Sequence, residues 1–167
     1  MRRLILFRHA KTEARAPNGG EDFERRLTER GHADARLMAE VLAGAGCAPD
    51  LALVSPAVRA RQTWEEAKGA FPGAEVEFRR SLYNASDVEL AVEIIPSAGA
   101  VEALMLVAHN PGLQELGVSL LAERGLRPSE AERIAAGFPT AAAAVLAFDA
   151  DNRCQLLHLF RPSEHRA

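Results

Sequence analysis

The 167-residue chain is 48% hydrophobic and 26% charged, a balance that supports one domain over residues 1–167 with a single core. A formal net charge of −3 and an isoelectric point near 6.0 speak against nucleic acid or a membrane surface as partner, and leave any anion binding to a local pocket. Cys47 and Cys154 fit no metal or redox spacing and read as unpaired thiols of a reducing, cytoplasmic compartment, and no apolar run approaches the roughly 18 residues of a membrane span.

Leu4-Ile5-Leu6-Phe7 is a short apolar run of strand formers that ends abruptly in Arg8-His9-Ala10-Lys11. Ligands of open α/β sheets sit at the carboxyl ends of the strands, so side chains leaving such an end face the binding crevice. Taken alone, an Arg-His pair after a strand is more often a solvated strand end. Thr12 to Arg26, with Pro17-Asn18-Gly19-Gly20 inside it, reads as a loop crossing the top of the sheet. Thr28 then caps a helix whose apolar positions Ala35, Met38, Ala39 and Leu42 recur at helical spacing, and Gly44 and Gly46 close it.

Leu51 to Val54 predicts a second buried strand, stopping at Ser55-Pro56. Ser55 is expected to cap a helix to about Phe71 with Pro56 in its first turn, which brings Arg59 close to the carboxyl end of that strand. Glu75 to Phe78 alternates weakly as a third strand, and Ser86 with Glu89 has capping-box spacing at the start of a helix that Pro96 stops. Ala103 to Ala108 is the strongest buried-strand signal; it ends in His109-Asn110-Pro111-Gly112, followed by a helix from Leu113 to about Ala122. Arg124 to Gly137 reads as a charged helical segment, and Thr140 to Phe148 and Cys154 to Phe160 as strands joined by a hairpin. The alternation predicts a three-layer α/β sandwich around a mostly parallel sheet with one antiparallel strand near the C-terminus.

Three strand ends thus present Arg8, His9, Arg59 and His109. Each alone has an ordinary explanation, a solvated arginine or a hydrogen-bonded histidine; the repeated position is what points to a site. His32, His158 and His165 fall away from such ends and read as structural or solvated, and Trp64 as helix-to-sheet packing.

This set resembles the histidine phosphatase superfamily, which includes the phosphoglycerate mutases and acid phosphatases. Its Arg-His-Gly motif appears as Arg8-His9-Ala10, its Ser-Pro-x-x-Arg-Ala-x-x-Thr motif as Ser55 to Thr63, and its second histidine as His109. More narrowly, Arg8 to Lys11, Asp22 to Gly31, Leu82 to Ala85 and Val107 to Gly112 look like the small SixA-type phosphohistidine phosphatases. The resemblance implies that His9 attacks phosphorus and becomes a transient phosphohistidine, that Arg8 and Arg59 bind phosphate, and that His109 donates to the transferring oxygens, with no metal or cofactor. The chemistry suits the residue types: phosphoryl transfer asks mainly for positioning and charge neutralisation, and guanidinium forks match phosphate oxygens. The neighbouring guanidiniums are expected to keep His9 neutral.

Departures from the family pattern carry information. Ala10 stands where Gly is usual, Arg15 where larger members have an Asn that touches phosphate, and Arg26 where the SixA-like branch usually has Pro. Larger members place an acidic proton donor after the third strand, where this chain has Leu82-Tyr83-Asn84-Ala85 and no carboxylate. An alkoxide leaving group needs a proton in the transition state, whereas imidazole leaves once its other ring nitrogen is protonated, so the pattern favours phosphohistidine in a protein. Glu13, Glu21 and Asp22 lie in the loop over the site and read as solvated rim residues that could still supply a proton. A phosphatase for small phosphorylated substrates using such a carboxylate, and a phospho-ligand binding module with vestigial catalysis, are the alternatives.

Overall fold

The computed structural model describes residues 1–166. Strands Arg3–Arg8 (β1), Leu51–Val54 (β2), Glu75–Phe78 (β3), Ala103–Ala108 (β4), Ala143–Phe148 (β5) and Cys154–Phe160 (β6) form one sheet in the order β3-β2-β4-β1-β5-β6. β1 lies inside it, parallel to β4 from Arg3 opposite Ala103 to Arg8 opposite Ala108, and antiparallel to β5 on its other side. β2 is parallel to both β4 and the edge strand β3. Because β6 pairs antiparallel with β5, β5 is the one strand that runs against the rest, as the sequence led us to expect.

Alternation along the strands divides the core between the two faces of the sheet. Leu4, Leu6, Leu104 and Leu106 point to one face and Ile5, Phe7, Met105 and Val107 to the other, all fully buried. Burial on both sides is why these strands read as continuous apolar runs. Helices Glu29–Gly44 (α1) and Val58–Ala67 (α2) cover the Ile5 face with Met38, Leu42 and Trp64. Helices Asp87–Ile94 (α3), Gly112–Arg124 (α4) and Pro128–Ala135 (α5) cover the Leu4 face with Leu90, Leu116 and Ile134. Each such large apolar side chain contributes about 1.5–3 kcal/mol relative to exposure. Trp64 packs in the core and stacks on Phe71 at 6.4 Å, as the helical spacing implied.

Two glycines bring the loops together at the carboxyl ends of the strands. Thr28 caps α1, its hydroxyl accepting from the Gly31 amide at 3.0 Å, and a Cβ on Gly31 would stand 2.1 Å from the Lys11 carbonyl oxygen. A Cβ on Gly112, which opens α4, would stand 1.9 Å from the Ala85 carbonyl oxygen. Only glycine permits either approach. The Ser86–Glu89 capping box forms as its spacing predicts.

The helix before Pro96 stops as expected, α3 ending at Ile94 and giving way to a 3₁₀ turn, Ile95–Ser97. Three expectations need correction. α2 starts at Val58, with Ser55 and Pro56 outside it, because Ser55 is engaged elsewhere. The charged segment after Arg124 is helical only from Pro128, whose fixed φ suits a first helical position, to Ala135. β5 starts at Ala143, since Ala141 sits at φ 59°, which breaks the extended run begun at Thr140. Among the described residues no helix is long and apolar enough to cross a membrane.

Candidate active site

Arg8 and His9 leave the end of β1, His109 leaves the end of β4, and α2 returns Arg59 to the same place. The four side chains line one cleft of about 670 Å³ together with Asp22, Arg25 and Asn84. His9, Arg59 and His109 are nearly buried, and the two imidazoles lie 5.1 Å apart between centroids.

The His9 ring is fixed by its own backbone. Its Nδ1–H donates to the Ala10 carbonyl at 2.9 Å, which leaves the lone pair on Nε2. The Ala10 amide donates to Thr63 Oγ1 at 3.0 Å, and that hydroxyl donates to the Arg59 carbonyl at 2.7 Å. Thr63 therefore ties the turn that carries His9 to the helical turn that carries Arg59. Burial is the first cause that lowers the His9 pKa; the Ala10 bond opposes it, the Arg59, Arg8 and Arg25 charges reinforce it, and the result is about 3. The neutrality expected from guanidinium neighbours is thus owed first to desolvation.

Ser55, expected as a helix cap, serves His109 instead. Its Oγ accepts from the Ala57 amide at 3.4 Å and lies 2.7 Å from His109 Nε2, the one acceptor within reach of its proton among the described residues, so the hydroxyl donates to that nitrogen. The ring proton is then on Nδ1, which is buried and has no partner within the protein. Arg8 Nε is likewise buried and unpartnered, while one of its terminal nitrogens donates to the Phe138 carbonyl at 2.9 Å. Asn110 reinforces that support, donating to the same carbonyl at 3.0 Å. Burial, followed by the His9 and Arg59 charges, holds the His109 pKa at about 3 against the pull of Asp22. Two N–H donors that the fold leaves unused are the arrangement that a tetrahedral oxyanion satisfies.

Asp22 lies at the rim with 48% of its side chain exposed, as expected, but other side chains tie it down there. Arg59 donates through one terminal nitrogen to the Asp22 carbonyl at 2.8 Å and through the other to its Oδ2 at 3.0 Å. Arg25 donates to Oδ1 at 3.0 Å and the Tyr83 hydroxyl to Oδ2 at 2.9 Å. Burial pushes the Asp22 carboxyl up, but the bonds from Arg25 and Tyr83 and the charge and bond of Arg59 outweigh it and hold the group at about 2. Glu21 instead joins Glu24 in capping the 3₁₀ turn Asp22–Glu24, and neither Glu21, Glu13 nor Arg15 is among the residues that line the cleft. Among the described residues, no group of three or more His, Cys, Asp or Glu is arranged to hold a metal ion.

The model of the histidine phosphatase superfamily (branch 1) matches residues 4–86. A solved structure from Agrobacterium tumefaciens, assigned as a phosphohistidine phosphatase SixA, superposes with a TM-score of 0.81 at 35% identity, covering 96% of this chain and 98% of that one. The chain belongs to the histidine phosphatase superfamily. Its place there is the SixA-type branch: the protein histidine phosphatase SixA complexed with tungstate matches with a TM-score of 0.77 and 26% identity, over 98% of this chain and 99% of that one. The uncharacterized protein Rv1276c of Mycobacterium tuberculosis is 36% identical over 141 residues, which is 83% of this chain and 85% of the relative.

In this histidine phosphatase the residues the sequence singled out, Arg8, His9, Arg59 and His109, do meet in one cleft. What sequence reasoning missed is the supporting set. Thr63 stood inside a quoted motif without a role, Ser55 had only that of a helix cap, and Tyr83 stood in the segment noted for its lack of a carboxylate. Tyr83 supports both partners, its hydroxyl on Asp22 and its ring edge-on to His109 at 5.6 Å.

Proposed function

We propose that this histidine phosphatase removes phosphate from phosphohistidine in a protein, through a phosphohistidine intermediate on His9. The observation that carries the reading is the state of Asp22. It is the carboxylate beside the reaction centre, and three donors hold it ionised at about 2, so it has no proton to give near neutrality. A substrate whose leaving group needs no acid from the enzyme fits such a site.

Phosphohistidine meets that condition with the protons balanced. His9 Nε2 forms a bond to phosphorus as the P–N bond of the substrate breaks, and the substrate's imidazole, already protonated on its other nitrogen, leaves neutral. Nucleophile and leaving group are the same chemical group, so the transfer runs close to thermoneutral. Arg8, Arg59 and the Nδ1–H of His109 are the donors to the equatorial oxygens in this scheme. The Ala10 carbonyl keeps the proton on His9 Nδ1 throughout, so the phosphorylated ring stays cationic and is itself a good leaving group. Water then attacks phosphorus, the P–Nε2 bond breaks, both protons of the water leave with dihydrogen phosphate, and His9 is neutral again.

The test is steady-state turnover of a histidine-phosphorylated protein against p-nitrophenyl phosphate and sugar phosphates, with chelator present and His9→Ala as control. Preference for phosphohistidine, abolished by His9→Ala and indifferent to chelator, is the expected result. Faster turnover of sugar phosphates would mean that a carboxylate acts as general acid, and tight binding without turnover of any of them would mean a binding module.

A further inference from the structure

The cleft is larger and more cationic than transfer of one phosphoryl group requires. Its 670 Å³ is the size of a pocket for a whole small molecule, and six cationic side chains line it against two carboxylates, in a protein of formal net charge −3. Arg8, Arg59 and Arg25 surround the reaction centre. The surplus, Lys11, Arg30 and Arg166, lies along one wall built from the turn after β1, the first turn of α1 and the C-terminal turn.

That wall is a constructed one. Asp34, 4% exposed, holds the Arg166 guanidinium through two bonds of 2.8 and 2.7 Å and lies 3.7 Å from Arg30, fastening the end of the chain beside the cleft. Lys11 and Arg30 are exposed on long stems. Because Asp34 already occupies two donors of Arg166, the wall offers spread single charges and no compact cradle for a second phosphate. Spread charges match carboxylates spaced along an extended chain, and Thr140 and Ser163, which also line the cleft, add hydroxyls suited to a peptide backbone.

We infer that Lys11, Arg30 and Arg166 form a specificity wall for acidic residues that flank the phosphohistidine of a protein substrate. The inference rests on the proposed phosphohistidine activity and adds to it the kind of sequence the enzyme selects.

Two histidine-phosphorylated peptides that differ only in Asp and Glu against Ser and Gln beside the phosphohistidine separate the possibilities. The wild type is expected to favour the acidic peptide by about three- to tenfold, through KM and not kcat, with the preference shrinking in 0.5 M salt. Lys11→Gln with Arg30→Gln should bring the ratio of the two KM values toward one, and Arg30→Lys in place of Arg30→Gln should restore part of it. Turnover of both peptides with the same KM, or a preference that survives the double substitution, would overturn the inference alone. Turnover of neither peptide while p-nitrophenyl phosphate is hydrolysed would overturn the phosphohistidine reading and the inference with it.

Discussion

The Asp22 carboxylate sits 3.0 Å from a terminal nitrogen of Arg59, the guanidinium proposed to receive phosphate. A carboxylate there satisfies Arg59 and opposes an incoming dianion. Asp22→Asn is therefore expected to lower the inhibition constant of orthovanadate by about three- to fivefold, the size of one exposed charge interaction. Were Asp22 the general acid, the same substitution would cost kcat on alkyl phosphates about 10²-fold or more. Measuring both constants on one variant decides between the two roles.

Ser55 selects the tautomer of His109. In Ser55→Ala the imidazole loses the donor on Nε2 and with it the assignment of its proton to Nδ1. A lost hydrogen bond to a group that meets charge is worth about 1.5–3 kcal/mol, which is roughly 10- to 100-fold in kcat. Ser55→Thr keeps the hydroxyl and should recover activity if its methyl is accommodated. An unchanged kcat in Ser55→Ala would remove Ser55 from the working parts of the site.

The two active-site histidines also set the acid response of the fold. Both have folded pKa values of about 3 against about 6.5 when unfolded, so the unfolded chain binds more protons below pH 6.5. They cost the fold nothing above pH 6.5 and destabilise it progressively as pH falls toward 3; at pH 5 each costs about 2 kcal/mol. Urea unfolding at pH 7 and pH 5 should show this loss, and His109→Gln should show less of it. Histidine NMR titration gives the direct check, since both rings should stay neutral at pH 5.

Gly31 is held against the Lys11 carbonyl, where a Cβ would stand 2.1 Å from the oxygen. Gly31→Ala must push α1 away from the turn that carries His9. The expected cost is about 1–3 kcal/mol, seen as a fall in Tm of roughly 3–10 °C, with activity falling as well. Gly44→Ala, where a Cβ meets nothing within 4 Å, is the control and should change neither.

The sandwich and the meeting of Arg8, His9, Arg59 and His109 in one cleft were legible in the sequence because each rests on a local signal. The buried strands are unbroken apolar runs, and Arg8, His9 and His109 follow directly on two of them. β3 was harder to read, since as an edge strand all four of its residues are exposed, Val76 and Phe78 of its apolar face included. Ser55 was misread for a definite reason: Ser-Pro is a good helix opening, and what competes for the hydroxyl is an imidazole 54 residues away, which no local rule contains. The partners of Asp22 were hidden likewise, because Arg59 and Tyr83 reach it from segments far along the chain. Long-range hydrogen bonds, more than secondary structure, are what the sequence conceals here.

The placement of β1 has a consequence for synthesis. This strand leaves the ribosome well before either of its neighbours, β4 and β5, so Arg3 waits for Ala103 on one side and Ala147 on the other. Pairings this distant in sequence form late and slowly. His9, the proposed nucleophile, thus emerges ahead of Arg59 and His109 of its cleft, which closes around it only once β4 and β5 are in place. A nascent chain stopped before Ala143 should bind no vanadate, since docking of β5 on β1, and not the appearance of His9, completes the cleft.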